Sequence, residues 1–314
     1  MTTRLLMALA VVVGILAWAA TATAQSCCAA SQADGPVRLS MGQIGSVGID
    51  ASTKTYTGVF AGDDYRSLEH RGHEFRQSLF GAWRLGDDWL VGAVLPLVQN
   101  RRQATELVEW GGGLGDLSVQ SRYEVVTTGA SASWPGIGLV ASVTAPTGRS
   151  PSQSMDRGLS HLQADVTGSG YWRGGVAGQV EWTWRNTFLA GQLGISQGLP
   201  YTDGRGDSVL PGLGASARLS VGRTFSSALF WDHTLYTALS LAADHSGARR
   251  IDGQSVPATS ERLTTLSAQA GGYMTETIYL ALRASWDVPV TMAGQNRMAG
   301  PGAGLILRKV FYDF

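Results

Sequence analysis

Between Asp116 and Val125 the chain alternates: Asp116, Ser118, Gln120, Arg122 and Glu124 fall on one parity, Leu117, Val119, Tyr123 and Val125 on the other. Such alternation sends each set to a different face of an extended strand. The polar face carries charges of both signs, which opens two kinds of chemistry. The charges can pair across a narrow interior, or they can ring a wet conduit and filter what passes. Similar patterns recur. Glu74, Arg76 and Arg84 oppose Phe75, Leu79 and Trp83; Asp165 opposes Ala164 and Val166; Glu181 and Arg185 oppose Val180, Trp182 and Trp184. Arg218 opposes Leu219 and Val221, and Arg283 and Asp287 oppose Leu282 and Trp286. The candidate lumen-lining set is therefore Glu74, Arg76, Asp116, Arg122, Glu124, Asp165, Glu181, Arg185, Arg218, Arg283 and Asp287. Lys54 and Lys309 are the only lysines in the chain, so the interior cations are arginines, whose planar fork suits two-point pairing with carboxylates.

Catalysis fits these residues poorly. A hydrolase like the twelve-stranded outer-membrane phospholipases needs a Ser nucleophile, a base and an orienting group within hydrogen-bond reach. Of His70, His73, His161, His233 and His245, four fall in or beside expected loops, and no Ser/His/Asn spacing resembles that lipase family. No enzyme is expected. His73 and Glu74 are neighbours on one strand and point to opposite faces, which makes a poor metal site. The run Gly111-Gly112-Gly113-Leu114-Gly115-Asp116 lacks the Lys-Ser/Thr of a phosphate loop; glycines there fit a bulge or bend at a barrel rim. Asp203 to Ser208, "DGRGDS", reads as a solvated extracellular turn. Cys27 and Cys28 are adjacent and too close for an unstrained bridge. Neither a cofactor nor a metal is expected.

The elements that must hold these residues are strands. Charged residues are only 15% of the chain, 41 of 314 residues are Gly, and 44% are hydrophobic. So little charge suits a surface solvated by lipid. Arg4, the apolar run behind it and Ala22-Thr23-Ala24 make a secretory signal peptide over residues 1–24. Without Arg4, 23 basic residues face 24 acidic ones, a net charge of −1 that gives no reason to expect nucleic acid. After residue 24 no stretch reaches the ~18 apolar residues of a helical span. Residues 25–36 read as a flexible periplasmic stub, and 37–314 as an all-β transmembrane antiparallel barrel of about twelve strands. The expected strands are 37–47, 75–85, 89–101, 116–127, 137–145, 162–173, 176–185, 213–221, 224–239, 263–273, 278–288 and 302–314. Short turns are expected at 86–88, 173–175, 222–223 and 275–276. Long connectors are expected at 48–72, 101–113, 146–160, 188–211, 241–261 and 291–300. Trp89, Trp134 and Tyr279 beside the short turns suggest an interfacial girdle. At the end, Ile306, Val310, Tyr312 and Phe314 share one parity, read as lipid-facing, with Arg308 a misfit among them. The terminal Phe314 resembles the signal read by the outer-membrane assembly machinery.

Gly113, Gly115, Asp116, Arg122 and Tyr123, followed one strand later by Pro146, Thr147 and Gly148 in "VASVTAPTGRS", resemble a bacterial outer-membrane family. It is the family named for the meta-pathway of phenol degradation and often labelled transporter. The resemblance extends in layout from about residue 37 to Phe314, and it implies a twelve-stranded barrel that takes up aromatic or other hydrophobic small molecules. The expectation is thus an outer-membrane channel or transporter for a small-molecule solute, surrounded by membrane lipid and lipopolysaccharide. The rival is a closed structural or surface-display barrel, plugged by its own ion pairs, whose extracellular loops bind partners.

Overall fold

The computed structural model describes residues 39, 42–104, 106–127, 134–155 and 162–312. The proposed signal peptide, the stub with Cys27 and Cys28, and Phe314 lie outside the described residues.

Alternating side chains build a closed, twelve-stranded antiparallel barrel. Its strands are β1 (Gln43–Ala61), β2 (Asp64–Leu85) and β3 (Trp89–Ala104), then β4 (Leu107–Leu114) and β5 (Leu117–Val126), which are two segments of one broken strand. There follow β6 (Gly136–Ala145), β7 (Arg173–Trp184), β8 (Thr187–Gly198), β9 (Gly214–Ser226), β10 (Thr234–Ser246), β11 (Glu261–Tyr273), β12 (Ile278–Asp287) and β13 (Pro301–Tyr312). Each pairs with its neighbours in chain order, and β13 closes on β1 from Gln43 opposite Tyr312 to Lys54 opposite Gly302. Closure leaves no barrel edge, the condition for strands to cross lipid.

The exposed parity is apolar nearly all round: Val47, Ile49, Leu79, Leu139, Val176, Leu193, Leu219, Leu282 and Leu305 all point outward. Trp83, Trp89, Tyr123, Trp182 and Trp184 ring the short-turn end, with the Trp89 and Tyr123 rings 5.0 Å apart. In such barrels that rim, with both chain ends, is periplasmic. Trp134 is exposed at the same rim, as expected. Tyr279 is not part of the girdle: it is 1% exposed and points inward.

The strand count holds, but its membership differs. Residues 162–172 form no barrel strand, and β8 takes the place assigned to them. A single parity pattern cannot tell lipid from protein as the partner of the apolar face, and 162–172 spends its alternation on the inner wall. Most of the stretch expected as a loop at 48–72 is strand: β1 and β2 run on to a tight turn at Gly62-Asp63. Likewise 101–113 is a tight hairpin between β3 and β4. Residues 173–175 and 222–223 lie within β7 and β9; the corresponding turns are at 185–186 and 227–233. On β13 the expected parity is reversed. Leu305, Leu307 and Lys309 face outward, while Arg308 is 2% exposed and stacks over Tyr279 inside, 5.3 Å from the ring centre. Turned inward, Arg308 is no longer a misfit.

Candidate functional site: the lumen and its extracellular vestibule

The inner parity meets in three tiers. At the periplasmic end β2, β5 and β7 contribute a chain of charges. Arg84 Nη1 lies 3.3 Å from Glu124 Oε2, Arg122 Nη2 lies 3.4 Å from Glu124 Oε1, and the same Nη2 donates to Glu181 Oε1 at 3.1 Å. Arg122, Glu124 and Glu181 are buried. Opposite them, Phe188, Tyr236, Tyr273, Tyr279 and Val310 form an apolar cluster with the tyrosine rings edge to face. Residues at the start of the described chain fill the space between. Leu39 packs on Ala82 and Leu90, Gln43 donates to the Tyr273 hydroxyl at 2.8 Å, and Arg84 Nε donates to the Gln43 carbonyl at 3.3 Å. The side chains at this end are buried against one another.

The middle tier is polar and more open. Arg283 Nη2 lies 3.0 Å from both Asp50 oxygens. Lys54 Nζ lies 2.6 Å from Asp287, which also accepts from Thr265 at 2.8 Å and from the Gly300 N–H at 3.0 Å. Glu74 accepts from Arg76 at 3.1 Å and from the Tyr56 hydroxyl at 2.7 Å, and the Arg102 guanidinium lies over the Tyr56 ring. Arg218 is on the inner parity of β9, exposed, with no carboxylate partner among the described residues.

The third tier comes from the connector between β6 and β7, of which residues 162–172 fold against the inner faces of β3 and β4. It crosses at the break between β4 and β5, where Asp116 accepts from the Gly148 N–H at 3.0 Å and from both the N–H and the hydroxyl of Ser169 at 2.7 Å. Thr147 donates to the Gly115 carbonyl at 2.7 Å and accepts from the Leu117 N–H at 2.9 Å. Further along, Asn100 donates to the Ala164 and Val166 carbonyls, and Glu109 accepts from the Leu162 and Ala164 N–H groups. The close approach requires glycine at Gly111, where a Cβ would sit 2.5 Å from the Asp165 nitrogen. Asp165, buried in this connector, accepts from Ser154 at 2.5 Å and from Arg149 at 2.9 Å. Burial pushes its carboxyl up, but those two hydrogen bonds and the Arg149 charge outweigh it and hold the group below its ordinary range.

Above the middle tier opens a vestibule of about 1000 Å³. Arg102, Arg173, Arg205, Arg249 and Arg297 line it, against Asp203, Asp244 and Glu261. Tyr171 and Tyr201 also line it, their rings stacked 5.2 Å apart. Burial raises the Tyr201 hydroxyl above its ordinary range, and the neighbouring Arg249 charge pulls it partway back.

Most of the expected interior set thus faces inward, but in different surroundings. Arg122, Glu124 and Glu181 are brought together, as are Glu74 and Arg76; Arg283 and Asp287 pair with Asp50 and Lys54 instead of with each other. Arg185 does not line the lumen. It sits at φ 52 in the turn at 185–186 with its guanidinium over Trp184, because the turn falls there rather than past the strand's polar parity. Asp165 lies in a connector, not on a strand, and is buried there against Ser154 and Arg149. Of the motif residues, Gly113, Gly115, Asp116, Thr147 and Gly148 converge on the β4–β5 break, with Pro146 beside them in sequence. Tyr123 does not join them and faces lipid. Asp50, Lys54 and Tyr56 fall outside the expected set because the expected connector spans 48–72, although Ser46, Gly48, Asp50, Ser52, Lys54 and Tyr56 alternate with apolar or small residues. Arg102, Arg249 and Arg297 carry no local signal of a shared cavity.

No protein-family model matches the chain, and no curated protein matches it. Among solved structures, an outer membrane channel from Pseudomonas putida F1 is 15% identical, with a TM-score of 0.67 over 88% of this chain and 97% of that one. That likeness establishes the fold: the chain is a barrel of the outer-membrane type. The NanC porin is 10% identical over 84% of this chain and 99% of its own at a TM-score of 0.42. The beta domain of the Bordetella autotransporter BrkA is 13% identical over 86% of this chain and 100% of its own at 0.46. Both of these are looser likenesses and carry no functional weight.

Proposed function

We propose that this chain is a passive outer-membrane channel for small organic solutes, admitted through the vestibule and gated at the periplasmic end. The observation that carries this reading is the interior itself. A barrel plugged by its own ion pairs would account for the paired charges, but it does not require the cavity of about 1000 Å³ that opens at the extracellular mouth, lined by more cations than carboxylates. Arg283 with Asp50, Lys54 with Asp287 and Arg218 would line the conduit; Arg84, Arg122, Glu124 and Glu181 would form the constriction, selecting by charge and width. The motif resemblance supports aromatic or hydrophobic cargo. One observation favours the closed-barrel alternative: Leu39 and Gln43 occupy the periplasmic mouth.

The test is conductance of the refolded chain across a planar bilayer. Discrete steps that change in size or ion preference with Arg122→Ala or Arg283→Ala are expected. A folded barrel that never conducts, even after the residues preceding β1 are deleted, would transfer the proposal to the closed reading.

A further inference from the structure

The vestibule carries two features that a passive entrance does not require. The first is an excess of cations. Five arginines face three carboxylates there, and the carboxylates are partly engaged already. Asp203 accepts the N–H groups of Arg205 at 2.9 Å and of Asp207 at 3.0 Å within its own turn, and Glu261 lies 3.9 Å from Arg249. Among the described residues neither Arg205 nor Arg297 pairs with a carboxylate. A walled cavity with surplus charge of one sign concentrates counter-ions of the other.

The second feature is an aromatic platform. Tyr171 and Tyr201 stack with only 13° between their planes, and Arg173 donates to the Tyr171 hydroxyl at 2.7 Å. The platform is rigid. Tyr171 is buried in a space that Gly198 leaves for it: a Cβ there would sit 2.6 Å from the ring and 2.6 Å from Pro211. A preorganised ring face in the same cavity as guanidinium groups without carboxylate partners matches a ligand with a planar π-system and one negative charge. A neutral hydrocarbon would leave the guanidiniums without a partner, and a small inorganic anion would leave the tyrosines unused.

We propose that the vestibule is a capture site for small aromatic carboxylates. Arg205 and Arg297 take the carboxylate, and the Tyr171–Tyr201 stack takes the ring. Capture stands on the vestibule alone; only delivery of the captured solute into the lumen rests on the channel reading above.

The test is calorimetric titration of the refolded barrel in detergent at low salt with benzoate, cyclohexanecarboxylate, benzyl alcohol and inorganic phosphate. Benzoate is expected to bind, with benzyl alcohol at least about tenfold weaker, the scale of losing a charge-assisted hydrogen bond. Arg205→Gln with Arg297→Gln should weaken benzoate by about tenfold or more. Tyr201→Leu should narrow the advantage of benzoate over cyclohexanecarboxylate. Each variant is first checked for heat-modifiable gel mobility, so that loss of fold is not read as loss of binding. Equal affinity for benzyl alcohol, equal competition by phosphate, or benzoate binding unmoved in the double variant would overturn the assignment. Conductance is recorded on the same preparations. Binding without conductance retires the channel and keeps the site, whereas conductance without benzoate binding keeps the channel and retires the site.

Discussion

At the residue scale, the periplasmic charge chain shows how context decides what an ion pair does. Arg122 serves Glu124 and Glu181 at once, and all three are buried. Replacing such pairs with apolar side chains is often neutral, but removing one partner strands the others in a medium that cannot solvate them. Arg122→Ala removes the guanidinium that Glu124 and Glu181 share. A loss of about 3–5 kcal/mol is expected, measured by urea unfolding of the barrel in lipid vesicles. Arg283→Ala should cost less, because its side chain is 32% exposed and water can take over the solvation of Asp50. A larger loss at Arg283 than at Arg122 would contradict this ordering.

At the element scale, the decisive piece is the connector between β6 and β7, whose described residues are held by Asn100 on β3, Glu109 on β4 and Asp116 at the β4–β5 break. Asp116→Ala removes three hydrogen bonds from it, one near its start at Gly148 and two near its end at Ser169. Limited proteolysis should then cut within 146–172 faster than in the parent, while the barrel strands stay protected. A second prediction concerns acid. The carboxyl of Asp165 is depressed in the folded chain, so its contribution is full above the unfolded value near about 3.9 and fades as pH falls through the folded value. Protease resistance of the connector should hold from pH 7 to about 4 and fall below it, and Asp165→Asn should flatten that dependence. The same connector marks the limit of what the chain discloses on its own. Strands such as β6 and β12 were legible because one face meets lipid and the other meets charge. In 162–172 the same alternation meets protein on one side, and no local residue type distinguishes the two. The motif residues were visible as a cluster in sequence, but their shared job needed the fold, since Gly115 and Thr147 meet only when β5 and β6 pair. The vestibule was less legible still: its arginines come from separate connectors and strand ends with no common spacing.

At the scale of the whole molecule, the outward leucines, valines and tryptophans make lipid the solvent of this barrel. The full chain should partition with the outer membrane and migrate differently on gels with and without boiling; recovery as a soluble periplasmic monomer would refute it. The interior is graded along its length, from a cation-rich mouth through half-exposed ion pairs to a periplasmic end of buried charges and tyrosine rings. Under the proposed channel function, a solute captured at the mouth meets those buried charges last.

The placement of Gln43 has a consequence for assembly. Gln43 opens β1, pairs with Tyr312 on β13, and reaches across the mouth to the Tyr273 hydroxyl on β11. One residue thus joins the first strand to the last through its backbone and narrows the periplasmic mouth through its side chain, so closing the seam and narrowing that opening are coupled at Gln43.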